Sequence, residues 1–404
     1  MKKFSMLIIV LLTAGAVSFS TGCGSSSSSG TAGGGGGNVS SSLSSLPNAS
    51  LTVSNVGGAA SQALKVNQDA SNYANQSTSV GTITNSTMGN PNNLPTFGGL
   101  SLVTQNPSKL VVKPSYLKQT ILDQLDSLKT LQSSGCNTTP TVTDNSTTSG
   151  SVTNVNITST WSNVSCSYSG LTFTLNGSVS WIGTYDSSAG SANLTLTYTN
   201  FTFGETYSGS SMSMTWNGGI TFTGSGMLSG SSNIQFTEDG TLNLTGTESG
   251  AQGSVGFSGW FSIDDTFSGN VSLFTLVLNE GNEFDVTSGS GSAKIGSYLQ
   301  TTPSLTISTT ANTTVLNGSG MAGVAYIVNG QNITTGTASY SGKYSFAFDN
   351  LTYDSTVCPY CPSSGTLTLT SGTQSFVFTY SSSSCSTGQC CATVTGSASS
   401  QVCW

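Results

Sequence analysis

The chain contains no histidine and no arginine, and its nine basic residues are all lysine. A histidine-based triad or proton shuttle is thereby excluded. Guanidinium forks for phosphate are excluded too. Only 6% of the 404 residues are charged, against about 25% in an ordinary soluble domain. The sequence pI near 4.3 argues against a nucleic-acid partner. Proline is missing from the whole stretch between Pro140 and Pro303. A run of paired strands has that property, because proline removes a ladder donor. No apolar run near the N-terminus is as long as the roughly 20 residues a spanning helix needs.

What the N-terminus does hold is an export signal. Lys2 and Lys3 form a positive start, and Met6 to Val17 is a twelve-residue apolar stretch of the length expected for a signal peptide. Ser20-Thr21-Gly22-Cys23 follows. Small residues ahead of a cysteine resemble the lipobox of bacterial lipoproteins, although Ser20 stands where that family usually has leucine. The resemblance implies cleavage before Cys23 and lipidation of its thiol (diacylglycerol and palmitate). Gly24, rather than aspartate, after the cysteine implies export onward to the outer membrane in Gram-negative relatives of that kind. Residues 1–22 are then the signal peptide and 23–47 a lipidated Ser/Gly-rich tether, flexible by composition.

Eight cysteines remain after Cys23: Cys136, Cys166, Cys358, Cys361, Cys385, Cys390, Cys391 and Cys403. An even number in an exported chain reads as disulfides. Cys136 and Cys166 stand apart from the other six and are expected to pair. The other six are expected to staple the C-terminal segment. Cys358-Pro359-Tyr360-Cys361 resembles the glutaredoxin active site, which implies thiol–disulfide exchange. Strand-like flanks and the missing helix after Cys361 favour a turn closed by a structural disulfide instead. A zinc site from Cys358, Cys361, Cys390 and Cys391 is a further reading, disfavoured by the adjacent pair.

Residues 48–113 are polar and read as irregular, with Ala59, Ala63, Val66, Ala70 and Tyr73 at helical spacing. Residues 114–135 predict an amphipathic helix. Leu117, Ile121, Leu125 and Leu128 trace its face, and Lys118 and Lys129 sit beside them. From 136 to 404 the pattern is strand after strand. Leu194, Leu196 and Tyr198 share one face, and Phe201 and Phe203 resume on the other parity. That switch predicts a bulge near Asn200. Gly218-Gly219 and Asp239-Gly240 read as hairpin turns. The fold class is mainly β: a large antiparallel meander, sandwich or half-barrel, preceded by one helix. A cysteine-rich subdomain from about 304 is an alternative to one continuous sheet.

Recurring phrases such as Asn176-Gly177 and Asn317-Gly318 are attributed to composition alone. Trp161, Trp181, Trp216 and Trp260 are expected in the core. Asp264-Asp265 is read as a turn. Glu280, Glu283 and Asp285 offer clustered oxygen ligands for Ca²⁺, or else a solvated loop. No cofactor is expected. The composition points to a non-enzymatic, lipid-anchored β protein of the cell envelope, at the outer membrane or surface of a Gram-negative bacterium. Its partners would be the membrane, through the lipid, and a protein, glycan or lipid ligand. A half-barrel carrier of a hydrophobic ligand is the alternative, with the thiol–disulfide enzyme behind it.

Overall fold

The computed structural model describes residues 38–64 and 137–403, less a few short segments of which 227–232 and 333–340 are the longest. The predicted signal peptide and the helix predicted over 114–135 lie outside the described residues, as do Cys23 and Cys136. Among the described residues nineteen strands form one large antiparallel sheet. β1 (Thr141–Asp144) and β2 (Thr147–Ser149) lie along β3 (Val152–Tyr168). β4 (Leu171–Asp186), β5 (Ser191–Tyr207), β6 (Ser210–Ser225), β7 (Ile234–Gly250) and β8 (Gly253–Asn270) follow as a meander. β9 (Leu273–Val277) and β10 (Asn279–Ser288) share one lane between β8 and β11 (Gly291–Thr309). β12 (Thr313–Val328), β14 (Gly342–Asp354), β15 (Ser364–Ser371), β16 (Gln374–Tyr380), β18 (Gln389–Thr395) and β19 (Ser400–Cys403) complete it. β13 (Gln331–Asn332) and β17 (Cys385–Ser386) are two-residue additions.

The strands form because apolar and Ser/Thr residues alternate over long stretches, and threonine is a good strand former. Inward residues from β3 to β18 make one apolar core, with Ile157, Leu194, Leu276, Leu305 and Phe378 fully buried. Trp161 meets Phe201 edge-on in it, with ring centroids 4.9 Å apart. Trp181 is buried as well, whereas Trp216 and Trp260 are only partly so. The sheet runs unbroken past Pro303, which sits inside β11 at a register shift between Thr301 and Leu305.

Two readings of the N-terminal region are corrected. The tether does not extend to 47: residues 39–45 form a helix, α1 (Val39–Ser45), capped by Asn38, whose side chain accepts from Ser41 N–H. Segment 48–113 is not irregular throughout either, since 56–64 are helical (α2). The reason is the same in both places. A few apolar residues at helical spacing hide in polar sequence, and tertiary packing stabilises helices too short to stand alone. Val39, Leu43 and Leu46 bury against the outer face of β10–β12. Val56, Ala59, Ala60 and Ala63 bury in the inner core. Between them the chain rounds the start of β14, where Ala49 N–H donates to Lys343 O at 2.9 Å and Lys343 N–H to Pro47 O at 2.8 Å. Tyr344 Oη then donates to Ala59 O and pairs with Gln62, each at 2.9 Å. The segment is thus a strap, with one helix on each face of the sheet.

The bulge expected near Asn200 is present, and it belongs to a repeated device. Asn163, Asn200 and Asn350 adopt φ of 50°, 44° and 48° in register shifts of β3, β5 and β14. Each lies two residues after an aromatic and two before Ser or Thr: Trp161 and Ser165, Tyr198 and Thr202, Phe348 and Thr352. Each bulge N–H donates to an Asn side chain on a neighbouring strand: Asn176 on β4 at 2.7 Å, Asn217 on β6 at 2.7 Å and Asn317 on β12 at 2.8 Å. Each acceptor Asn precedes a glycine of positive φ, namely Gly177, Gly218 and Gly318. Composition therefore does not explain the recurring Asn-Gly phrases; a hairpin module does. Asn tolerates the left-handed conformation, and a carboxamide oxygen occupies the acceptor site that the bulge leaves open. Asn217→Ala is expected to cost about 1 kcal/mol by removing that acceptor. A urea-denaturation midpoint identical to wild type would show the bond to be idle.

Gly218-Gly219 and Asp239-Gly240, read as hairpin turns, instead lie in the middle of β6 and β7. Gly240 pairs with Ile220 and packs onto the Gly219 carbonyl. The glycines serve close backbone approach, which a local turn rule does not distinguish.

Candidate functional site

Strand alternation places one residue in two on the outer face, and over β5–β7 those residues are almost all Thr, Ser or Asn. The ladders bring them into rows across the sheet. Asn176, Thr202, Thr215, Thr245 and Ser258 are in register on β4 to β8. The neighbouring row is Thr174, Gly204, Ser213, Thr247, Gly256 and Thr287. Hydroxyls bond across strands: Thr202 to Thr215 at 2.9 Å, Thr195 to Thr221 at 3.0 Å and Ser211 to Ser249 at 2.8 Å. Such pairs stabilise a ladder by about 0.2–1 kcal/mol each. A second lone pair or the proton of each hydroxyl stays available to a ligand.

Where the two rows cross β6, β7, β8 and β10 they border an open groove of about 430 Å³. Ser213, Thr215, Thr245, Thr247, Ser258 and Thr287 line it, and Gly256 leaves its floor low. Its four strands span about 14 Å at the usual strand spacing. Beyond it, Asp285 pairs with Ser258 and Lys294 with Asp285. Glu283 accepts from Lys294 and, at 2.6 Å, from Tyr298 Oη. Burial alone pulls the Lys294 ammonium down, but Glu283 and then Asp285 more than offset it, so its pKa is raised. Burial pushes the Asp285 carboxyl up, against the pull of Lys294.

The Ca²⁺ candidates are thereby placed. Glu280, Glu283 and Asp285 lie on strand β10 rather than in a loop. Glu283 and Asp285 face outward and are engaged by Lys294. Among the described residues no group of three acidic, cysteine or histidine side chains could hold a metal. Asp264-Asp265 is likewise strand, not turn, and Asp265 is buried and accepts from Asn279 N–H at 3.0 Å.

Sequence reasoning missed the inward acids. Glu238 on β7 pairs in register with Asp265 on β8, both facing the core. Burial, then the charge of Glu280, pushes the Glu238 carboxyl up to about 8. Its Oε1 has no hydrogen-bond partner among the described residues. Glu205 and Glu248 flank Met212 on the same face, and burial raises both. The parity of these residues in their strands was the available signal, since each shares the face of its buried apolar neighbours.

The cysteines resolve into staples. Cys361 bonds Cys390, and Cys391 bonds Cys403 across β18 and β19. Cys358 is disulfide-bonded too. Cys358 and Cys361 therefore do not close a turn on each other, which corrects that expectation, and the set named for zinc is taken up in disulfides. Cys385 lies in β17. Asn137 N–H donates to Ser165 O at 2.8 Å, so the chain neighbours of Cys136 and Cys166 are adjacent. Comparison with protein-family models, curated proteins and solved structures finds no match to this chain.

Proposed function

We propose that this is a lipid-anchored, non-enzymatic envelope protein that binds a neutral, hydroxyl-rich glycan on the outer face of its sheet. The observation that carries the reading is the two in-register rows of Thr, Ser and Asn side chains bordering the groove. A lattice of uncharged donors and acceptors suits a partner of the same kind, because each hydroxyl can give and accept a bond without burying an unpaired charge. Lipidation at Cys23 would hold the sheet at the membrane through the Ser/Gly-rich sequence that follows it, whose composition is that of a linker. α2 packs its own Val56, Ala59, Ala60 and Ala63 into the apolar core, which supports a binding face over a carrier cavity.

Three measurements test this. Thr215→Val, Thr245→Val and Thr247→Val keep the side-chain shape and remove the hydroxyls. Together they are expected to weaken retention on hydroxyethyl cellulose or dextran in affinity electrophoresis by about tenfold or more, at roughly 0.5–1.5 kcal/mol per bond. Equal retention of variant and wild type sinks the groove. Metabolic palmitate labelling is expected in wild type and absent from Cys23→Ser. Protease shaving of intact cells is expected to remove the β domain if the face is displayed outward.

A further inference from the structure

The outer face carries an apolar island, and α1 lies on it. Trp260 and Tyr298 stand there with ring centroids 6.1 Å apart. Trp260 is two residues from Ser258, a groove residue, and so on the same face; its neighbour across the ladder is Glu283. The island is a trough floored by glycine. A Cβ on Gly281 would come 3.0 Å from the Tyr298 ring and 3.2 Å from Val39. One on Gly323 would come 2.9 Å from Leu43 and 2.8 Å from Leu46. Gly296 lies directly beneath the Tyr298 ring. The trough therefore continues the groove and is lined by two aromatic rings, Glu283 and Lys294.

Its occupant is short and Ser-rich. α1 has seven residues, five of them serine, and a helix that short does not persist without its dock. Three apolar side chains anchor it, with Ser42 hydrogen-bonded to Tyr298, Ser40 accepting from Gln300 at 2.7 Å and Ser44 O from Lys343 at 2.8 Å. On its C-terminal side the strap is fixed separately, by the Ala49–Lys343 bonds and by α2 in the core. The contacts of α1 are therefore separate from those that hold the rest of the strap, the condition for a local opening.

We propose that α1 is a displaceable cover, and that the trough beneath it extends the groove into an aromatic-lined site for a neutral polysaccharide chain. The rings supply apolar faces for the C–H faces of sugar rings. Glu283 and Lys294 supply an acceptor and a donor for sugar hydroxyls. With α1 docked, the site is competent only in the open fraction, and apparent affinity falls by that fraction. The inference rests on the groove being a glycan site, and the experiment separates the two.

The full-length chain and four variants are compared by affinity electrophoresis in hydroxyethyl cellulose and in dextran: Leu43→Ser, Trp260→Ala, the two combined, and Thr215→Val/Thr245→Val. Hydrogen exchange of residues 39–46 and acrylamide quenching report whether α1 has left. Leu43→Ser is expected to free α1 and to tighten retention about tenfold, and Trp260→Ala to abolish that gain. Should Leu43→Ser leave α1 docked, deletion of 38–46 takes its place. Freed α1 with unchanged retention overturns the cover, as does a gain that survives Trp260→Ala. Wild-type retention that depends on Thr215 and Thr245 but not on Leu43 leaves the groove standing and removes only the cover. Retention of no variant removes both.

Discussion

Glu238→Gln is expected to make the protein more stable at pH 9 and to flatten its pH dependence. Glu238 is buried beside Asp265, and its folded pKa is about 8 against an ordinary value of 4.5. Between those values the native state holds a proton that the unfolded chain releases. The stabilisation is complete below about pH 4.5 and is lost as pH rises through about 8. A shift of that size corresponds to about 5 kcal/mol, at 1.36 kcal/mol per pH unit. Glu205 and Glu248 are shifted in the same direction, also by burial. Asp186 and Asp354, both half-buried, shift the other way, each held down by hydrogen bonds from a neighbouring hydroxyl and backbone N–H. Their effect falls below their ordinary pKa of 3.8 and leaves the window of Glu238 untouched. Urea unfolding at pH 5, 7 and 9 reads the result. Wild type should lose stability steadily across that series, and the glutamine variant much less. Parallel curves for the two proteins would mean that Glu238 does not carry the dependence.

Gly177→Ala is expected to destabilise by more than about 3 kcal/mol, because a strained backbone and a clash act together. Gly177 has φ of 93°, and a Cβ there would lie 2.7 Å from Phe201 Cα and against the Asn200 carbonyl. Backbone, not a flexible side chain, stands in the way. Gly365 faces the Asn350 bulge in the same manner, with φ of 91° and Leu351 Cα at 2.7 Å, so Gly365→Ala should behave alike. Gly150 is the control. Its φ is 62° with nothing within 4 Å of a Cβ, so alanine there should cost only the left-handed conformation, about 1–2 kcal/mol. Equal losses at 150 and 177, by thermal or urea unfolding, would remove the close approach from the account of the bulge module.

Much of the fold was legible because strand alternation is a local property. Leu194, Leu196 and Tyr198, then Phe201 and Phe203 on shifted parity, announced both a strand and its bulge. The segregation of six cysteines announced the C-terminal staples. Other elements were hidden for identifiable reasons. Val39, Leu43 and Leu46 are three apolar residues in a Ser-rich stretch, and only the trough over Gly281, Gly296 and Gly323 makes them a helix. Gly218-Gly219 and Asp239-Gly240 look like turns, yet each lies opposite the other strand in mid-ladder. Glu238 and Asp265 are separated by a hairpin, so their pairing depends on register. Glu283 and Asp285 resemble a cation site until Lys294 is found opposite them.

The absence of arginine and histidine and the scarcity of lysine beyond residue 136 bind every possible fold of this chain. They made a Ser, Thr and Asn surface unavoidable, because those residues occupy the polar half of each alternating strand. Which of them meet, and where, was decided by register and by the strap. A one-residue slip would send the whole lattice inward, and without α1 the aromatic trough would lie open beside it. Composition acts through every residue independently, whereas the groove, the acid pair and the cover exist only where distant segments are brought together.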